Sequence, residues 1–261
     1  MYFLGCLNKY LNKGYIPVID LKSYPNAYNN YSNTSIINPW EFFFEQPFGY
    51  TLENTLRNAK KINIFECGED LNRPDERNIF YNKELINFWH DTSKKYIPIK
   101  KEIIDETNII IKKLFFNSNN VLGVKLRGTD YITMKLKNHP IPPKLDDVIS
   151  DVKKLIVKNK YDWVFIVSED EGIKKRFINT FKDKIKYLNS KNKINYDYNK
   201  KEIIIKNKNV AGNLEYAKNY LMNIYILTKC TDIVMTRGSG GAGVIILIHY
   251  ITNKIHNKLS I

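Results

Sequence analysis

Two cationic side chains stand at alternate positions near the end of a β-branched run in the middle of the chain. The segment Gly123 to Tyr131 reads G-V-K-L-R-G-T-D-Y, and Lys125 and Arg127 fall on one face of the predicted strand. Two cations on an otherwise apolar strand need a compensating anion, which predicts an anionic ligand here. The alternative is an edge strand with a solvated cationic face. Asp130 is either a partner that orients Arg127 or a polar contact to the ligand.

A short loop between a predicted strand and a predicted helix contains three glycines. It consists of Arg237, Gly238, Ser239, Gly240 and Gly241. Glycines let the backbone come close to a ligand, and the free amides at a helix N-terminus bind anions. The hydroxyl and the guanidinium of this loop add further donors, so the loop predicts a phosphate site. The alternative is an ordinary tight turn between a strand and a helix.

Polar residues also follow the predicted buried strand Trp163 to Val167. They are Ser168, Glu169 and Asp170. In dinucleotide-binding folds, acidic side chains at this place meet ribose hydroxyls or base edges. An N-cap for the next helix is an equal alternative, because Ser and Asp are common caps without any ligand.

Two further segments are candidates for the sugar side of a site. His139 lies in a loop that contains three prolines, where it can serve as a general base or contact a phosphate or a sugar, although a lone loop histidine is more often a surface residue. The segment Asn38 to Pro47 combines aromatic residues with carboxylates, among them Glu41. That composition suits stacking on a sugar ring, and packing of an irregular segment between domains explains it equally well.

The elements that must position these residues alternate along the chain. Short β-branched runs and longer amphipathic stretches predict an α/β protein with mostly parallel sheets. From Val121 onward, strand, turn and helix recur three times, which indicates a Rossmann-like unit whose ligands gather where strands end and helices begin.

A second α/β zone is predicted before it, with strands at Tyr15 to Asp20 and Lys61 to Glu66. The chain opens on a predicted helix, Tyr2 to Asn12, without the strand that normally precedes it. We therefore expect an N-terminal domain that is truncated relative to a complete one.

The amino-acid composition indicates which classes of binding partner the protein can have. Among 261 residues, Lys and Arg outnumber Asp and Glu by 41 to 27, and the net charge of +14 favours an anionic partner such as a nucleotide, nucleic acid or an acidic membrane face. The three cysteines, Cys6, Cys67 and Cys230, have no zinc-ligand spacing and predict reduced thiols in a cytoplasmic protein. No apolar run reaches the roughly 18 residues of a membrane span.

Four of these segments, in this order, resemble the fucosyltransferase-like superfamily. They are G-V-K-L-R-G-T-D-Y, H-P-I-P-P, V-F-I-V-S-E-D and the stretch that ends in M-T-R-G-S-G-G, and the resemblance covers about Val121 to Leu247. The superfamily includes α1,6-fucosyltransferases of nodulation factors and N-glycans, protein O-fucosyltransferases, and bacterial relatives in capsule and surface-polysaccharide clusters.

The resemblance implies a GT-B-like fold of two Rossmann-like domains, which we place at residues 1–118 and 119–261, with the donor in the second. It further implies an inverting glycosyltransferase that takes a GDP-linked sugar, fucose by precedent, and needs no metal or other cofactor. The implied acceptor is a glycan or a lipid-linked glycan, in capsule or surface-polysaccharide synthesis at the cytoplasmic membrane face.

The resemblance also assigns residues. In the family motif H-x-R-R-x-D the first Arg contacts the donor β-phosphate, which corresponds to Arg127. Lys125 stands at the His position and Gly128 at that of the second Arg. The acidic residue associated with guanine corresponds to Asp170. The family's pyrophosphate loop corresponds to Gly238, Ser239 and Gly240.

Three questions stay open at this level. The general base is His139, Asp130 or Glu41, or base assistance is weak. The replacement of the family His by Lys125 and the short N-terminus leave a catalytically degenerate nucleotide-sugar binder as the alternative function. A nucleic-acid partner is not expected, because the cations sit at strand ends beside glycines and no recognised nucleic-acid module is present.

Overall fold

The structure is a computed structural model that describes residues 2–23, 38–65, 74, 82–129, 132–133, 142–189, 214–236, 241, 243–245 and 255–258. Of the residues singled out above, Asp130, His139, Arg237, Gly238, Ser239 and Gly240 lie outside the described residues, and so does Cys67.

A parallel five-stranded sheet forms the centre of the C-terminal half. Its strands are β1 (Val121–Lys125), β2 (Trp163–Val167), β3 (Ile185–Lys186), β4 (Asp232–Thr236) and β5 (Ile255–Lys258). The spatial order is β3-β2-β1-β4-β5, and every neighbouring pair is parallel. This is the order of a Rossmann-like sheet, and it confirms the α/β class and the predicted Rossmann-like unit. The sequence analysis missed β5.

Alternate residues of the central strands face two different layers of helices. One face, with Leu122 and Val124 of β1, packs against α6 (Leu145–Asn159) and α7 (Glu171–Phe181). The other face, with Val121 of β1, packs against residues of the next layer. Because both faces are covered, β1 and β4 are buried along their whole length, as expected for parallel strands.

The second layer combines elements from both halves of the chain. It contains α1 (Tyr2–Leu11), α4 (Lys83–Tyr96), α5 (Lys101–Phe115) and α8 (Leu214–Leu227). Leu4, Trp89 and Phe115 join Ile224 and Leu227 in one buried cluster against the sheet. This core therefore draws residues from both sides of the domain boundary predicted at residue 118, and that boundary stays a prediction.

The described part of the N-terminal half is helical. Besides α1, α4 and α5 it holds α2 (Trp40–Phe43) and α3 (Leu52–Asn58), and an isolated antiparallel bridge joins Phe44 to Ile99. The strand predicted at Tyr15 to Asp20 is wrong, and so is the one predicted at Lys61 to Glu66 as far as residue 65.

Side chains take the place of a neighbouring strand at Ile19. The Ile19 amide donates to Gln46 Oε1 at 2.8 Å, and its carbonyl accepts from Asn38 Nδ2 at 2.7 Å and from Gln46 Nε2 at 2.9 Å. Because these side-chain amides satisfy the backbone groups of the buried Ile19, the segment needs no sheet partner there. Residues 61–65 are all exposed, so they lack the burial that a central strand needs.

The cysteines differ from one another. Cys6 is disulfide-bonded, so the expectation of reduced thiols is wrong at this residue. Cys230 is a free and buried thiol, and burial raises its pKa. Among the helices that the structure describes, none combines the length and apolar character that a membrane crossing requires.

We predict that Gly123→Ala destabilises the protein by about 1–3 kcal/mol, because the new methyl group overpacks the interface between β1 and α8. A Cβ at residue 123 would lie 2.8 Å from Leu227 Cδ2 and 3.2 Å from Cys230 Sγ. Urea denaturation measures the change. Val157→Ala on the exposed side of α6 is the control and should shift stability by less than about 0.5 kcal/mol. Equal stability of Gly123→Ala and wild type would contradict the packing described here.

Candidate functional site at the sheet switch point

The order of the strands reverses between β1 and β4. The chain runs from β1 outward to β2 and β3, and then returns to the other side of β1 with β4 and β5. Ligands of such sheets bind outside the carboxyl ends of the strands at this switch point. β1 ends there at Lys125 and β4 ends at Thr236, and the Arg127 amide donates to Thr236 Oγ1 at 3.4 Å. Both segments that predicted an anion site therefore leave the sheet at this point.

Lys125 is a buried cation on the central strand, with only 2% of its surface exposed. Its Nζ lies 5.8 Å from the ring centroid of Tyr220 on α8. A Cβ on Gly241 would lie 2.5 Å from Lys125 Cε and 2.9 Å from its Nζ. Gly241 is the last residue of the glycine-rich loop, so the structure brings the lysine to the end of that loop. The alternative of a solvated edge strand is excluded.

Arg127 forms an ion pair that the sequence analysis did not assign. Its Nη1 lies 3.0 Å from Glu169 Oε1, and the two side chains are only 17% and 7% exposed. Burial alone would raise the pKa of Glu169. The positive charges of Lys125 and Arg127, with hydrogen bonds to the carboxylate, outweigh burial and hold that pKa below its ordinary value of 4.5.

The position of Glu169 in the sequence could have predicted its ion pair with Arg127. It follows β2 directly, and β2 lies beside β1 in the parallel sheet. Lys125 pairs in register with Val167, so the residues just beyond the two strands are neighbours. An acidic residue at that place is the natural partner for the cations of β1.

Asp170 organises the backbone on both sides of it. Its Oδ1 accepts from the amides of Gly172 at 2.8 Å and Ile173 at 3.1 Å, which makes it the N-cap of α7. Its Oδ2 accepts from the Thr129 amide at 3.3 Å, and its own amide donates to Ser168 Oγ at 3.1 Å. The capping role is therefore observed for Asp170, and its contact to guanine stays a prediction.

The turn after β1 is strained and tightly packed. Thr129 is fully buried and has a φ of 53°, a backbone conformation that β-branched residues rarely adopt. A Cβ on Gly128 would lie 2.3 Å from Asp170 Oδ2, so no larger residue fits there without movement. Where the family pattern has a second Arg, Asp170 occupies the space in this protein. Such strain concentrates at functional sites.

An open cleft adjoins these residues at the carboxyl end of β2. It is partly open to solvent and lies between the start of α7 and one side of α8. Glu169 lines it, and its buried Oε2 has no hydrogen-bond partner among the described residues. The α8 side chains that line the cleft are Tyr216, Asn219, Tyr220 and Asn223.

Glu41 has a different environment from the other candidates. Its Oε1 accepts from Gln46 Nε2 and from the Leu52 amide, each at 2.8 Å, and from Asn38 Nδ2 at 3.4 Å. These contacts tie the segment after α2 to the start of α3. Within the described ranges, no cluster of His, Cys, Asp and Glu side chains has the arrangement of a metal site.

Five of the predicted site residues lie at the carboxyl edge of the sheet. They are Lys125, Arg127, Gly128, Ser168 and Asp170. Glu41 has its described hydrogen-bond partners between residues 38 and 52. Asp130, His139, Arg237, Gly238, Ser239 and Gly240 belong to the part of the chain that is not described.

Two solved structures of the fucosyltransferase NodZ have a similar fold. Fucosyltransferase NodZ from Bradyrhizobium matches 94% of this chain and 86% of its own, with a TM-score of 0.53 at 13% identity. NodZ α-1,6-fucosyltransferase soaked with GDP-fucose matches with a TM-score of 0.54 at 14% identity, over 95% of this chain and 87% of its own. The chain has a fold like that of these NodZ structures. The GT-B-like architecture expected from the sequence is thereby confirmed.

At these identities the likeness shows the fold. No protein-family model matches the chain. No curated protein sequence matches it either.

We predict that Glu169→Gln lowers stability at neutral pH by about 1–3 kcal/mol, because it removes the carboxylate that compensates two cations. The pKa of Glu169 is depressed in the folded protein, so its stabilising effect is complete above the ordinary value of 4.5 and is lost as the pH falls below it. The difference between wild type and variant should therefore shrink in acid. Urea denaturation between about pH 7 and about pH 3 measures it. A difference that does not vary with pH would contradict the ion-pair assignment.

We also predict that Gly128→Ala destabilises the protein by about 1–3 kcal/mol through its clash with Asp170. The same substitution is then made in the Asp170→Gly variant, which lacks the side-chain atoms that the new methyl group would meet. In that background Gly128→Ala should cost clearly less, and a double-mutant cycle of denaturation experiments measures the coupling. The same cost in both backgrounds would show that Asp170 is not the residue that requires glycine.

Proposed function

We propose that the protein is a glycosyltransferase that moves a sugar from a GDP-linked donor to a glycan hydroxyl with inversion and without a metal. One observation carries the proposal. Lys125 and Arg127 lie at the switch point of the sheet, Lys125 packs against Gly241 at the end of the glycine-rich loop, and the fold is like that of NodZ, a protein also crystallised with GDP.

We propose that the diphosphate of the donor binds at the switch point of the sheet. Lys125 and Arg127 supply positive charge, and both lie close enough to Glu169 that their charges lower its pKa. The loop that ends at Gly241 adds Arg237, the Ser239 hydroxyl and the amides of Gly238 and Gly240. Such cations and amides complement a diphosphate in the way a divalent ion does elsewhere.

We place the nucleoside in the cleft beside Glu169. The carboxylate oxygen Oε2 can accept a hydrogen bond from an N–H or O–H group of the ligand, and Tyr216 and Tyr220 offer aromatic surface. Ser168 lies at the same edge and Asp170 next to it. We propose that both side chains contact the nucleoside. Asp170 corresponds to the acidic residue that the family pattern associates with guanine.

The reaction is an in-line displacement. The acceptor oxygen forms a bond to the sugar C1 while the bond from C1 to the β-phosphate oxygen breaks, and its electron pair leaves with GDP. The proton of the acceptor hydroxyl passes to a general base or to solvent. Negative charge grows on the β-phosphate, where Arg127 and Arg237 stabilise it.

The base is one of three candidates. The carboxylate of Glu41 already accepts three hydrogen bonds that hold its own segment together, which favours Asp130 or His139. Fucose is the proposed sugar on the strength of the NodZ likeness, and other GDP-linked sugars would use the same contacts. We further propose a glycan or lipid-linked glycan acceptor in capsule or surface-polysaccharide synthesis, inside the cell.

We predict that calorimetric titration finds selective binding of GDP over UDP, ADP and CMP. Arg127→Ala should weaken GDP binding by about 10-fold to 150-fold, the range expected for loss of a hydrogen bond between charged groups. Arg176→Ala is the matched control, because this Arg on α7 is 59% exposed and pairs with Asp146 on the surface. The control should bind GDP like wild type.

The outcomes separate the alternatives. Equal effects of the two Arg variants, or no nucleotide binding by folded protein, would overturn the donor-site assignment. Tight GDP binding without sugar transfer to any acceptor would identify a degenerate nucleotide-sugar binder.

A further inference from the structure

Tyr220 on α8 borders both parts of the proposed donor site. Its side chain is half-buried and lines the cleft beside Glu169. Its ring centroid also lies 5.8 Å from Lys125 Nζ, within the range of a cation–π contact. Contact with a nucleoside would account for the place of Tyr220 in the cleft, but it does not account for the contact with the lysine.

The packing of α8 on β1 determines which side chain meets the lysine. Gly123 and Lys125 are alternate residues of β1, so they face the same side of the sheet. Leu227 of α8 packs over Gly123, with its Cδ2 2.8 Å from the place of a Cβ there. Tyr220 precedes Leu227 by about two helical turns and therefore lies on the same face of α8. The helix face that covers Gly123 thus also brings Tyr220 to Lys125.

Tyr220, Lys125 and Gly241 pack around one point. A Cβ on Gly241 would lie 2.5 Å from Tyr220 Oη, 2.5 Å from Lys125 Cε and 2.9 Å from Lys125 Nζ. The tyrosine and the amino group of the lysine therefore both adjoin the last residue of the glycine-rich loop. A lysine side chain has many rotamers, and confining it to one position costs conformational entropy that such contacts must offset.

Contacts outside the site hold α8 in place. Lys218 Nζ lies 2.6 Å from Glu106 Oε2 on α5. Leu221 of α8 and Ile103 of α5 belong to one buried cluster. Because α8 is packed on both β1 and α5, it presents the Tyr220 ring more precisely than a loop would.

We infer that Tyr220 is a positioning residue whose ring holds the Lys125 amino group at the end of the glycine-rich loop, ready for a phosphate. The inference rests on the proposed diphosphate site and adds a residue that acts on the diphosphate through Lys125. This role is separate from the aromatic surface that Tyr220 offers to the nucleoside. A cation that is already in place binds an anion more tightly than one that becomes ordered on binding.

Calorimetric titration with inorganic pyrophosphate tests the inference, because this probe has a diphosphate and no nucleoside to contact the cleft. Wild type should bind pyrophosphate, and Tyr220→Leu should bind it about 10-fold more weakly, the size expected for loss of a desolvated cation–π contact. Tyr220→Phe keeps the ring and should bind pyrophosphate within about 3-fold of wild type.

The Lys125→Met variant shows whether Tyr220 acts through the lysine. Methionine keeps an unbranched side chain without the charge, and Arg127 and the loop remain to bind pyrophosphate. Adding Tyr220→Leu to Lys125→Met should weaken binding by less than about 2-fold, because the group that the ring positions is already gone. A general structural role of Tyr220 would weaken binding in both backgrounds.

Tyr225→Leu is the matched control. Tyr225 is another half-buried tyrosine of α8 and has a lysine of its own, with Lys229 Nζ 4.9 Å from its ring centroid. This variant should bind pyrophosphate like wild type. Urea denaturation of every variant verifies that the titrated protein is folded.

The outcomes separate the inference from the proposed function. Wild-type binding of pyrophosphate by Tyr220→Leu would overturn the inference and leave the diphosphate site standing. An equal loss in Tyr225→Leu, or the same loss with and without Lys125, would overturn it as well. If folded wild type bound neither pyrophosphate nor GDP, the proposed function would fail and the inference with it.

Discussion

The burial of the Lys125 amino group is the constraint on which the rest of the site depends. A lysine with 2% exposure on a central strand is costly unless other groups compensate its charge. Part of the compensation comes from the aromatic ring of Tyr220 and from Glu169, whose depressed pKa reflects the charges of Lys125 and Arg127. Glu169 is also held by Arg127. Glu169 therefore interacts with both cations, at the end of the sheet where an anionic ligand is expected.

The same constraint shapes the backbone around the cluster. Gly241 has no Cβ because Lys125 and Tyr220 occupy that space, and Gly128 has none because Asp170 does. Asp170 caps α7 and at the same time fixes the amide of Thr129, which adopts a left-handed conformation. The strain in this turn is offset by the surrounding hydrogen bonds, so the cations after β1 keep a defined position. This is the preorganisation that charge stabilisation in a transition state requires.

The sequence predicted those strands whose position follows from the hydrophobic pattern alone. The runs Val121 to Leu126 and Trp163 to Val167 are buried on both faces, so their near-continuous apolar character identified them as parallel strands. Tyr15 to Asp20 has a similar composition, but side-chain amides distant in sequence satisfy its buried backbone, and nothing local signals them. Lys125 and Arg127 could be identified from their types and spacing. The pairing of Arg127 with Glu169 could not, because it depends on the register between β1 and β2.

A crystal structure of the protein with GDP tests the central claim most directly. The account predicts the diphosphate at the carboxyl ends of β1 and β4, with Lys125 Nζ and the Arg127 guanidinium within hydrogen-bonding distance of its oxygens and the nucleoside in the cleft beside Glu169. A diphosphate bound elsewhere on the protein, with these two cations still buried against Glu169 and Tyr220, would contradict it.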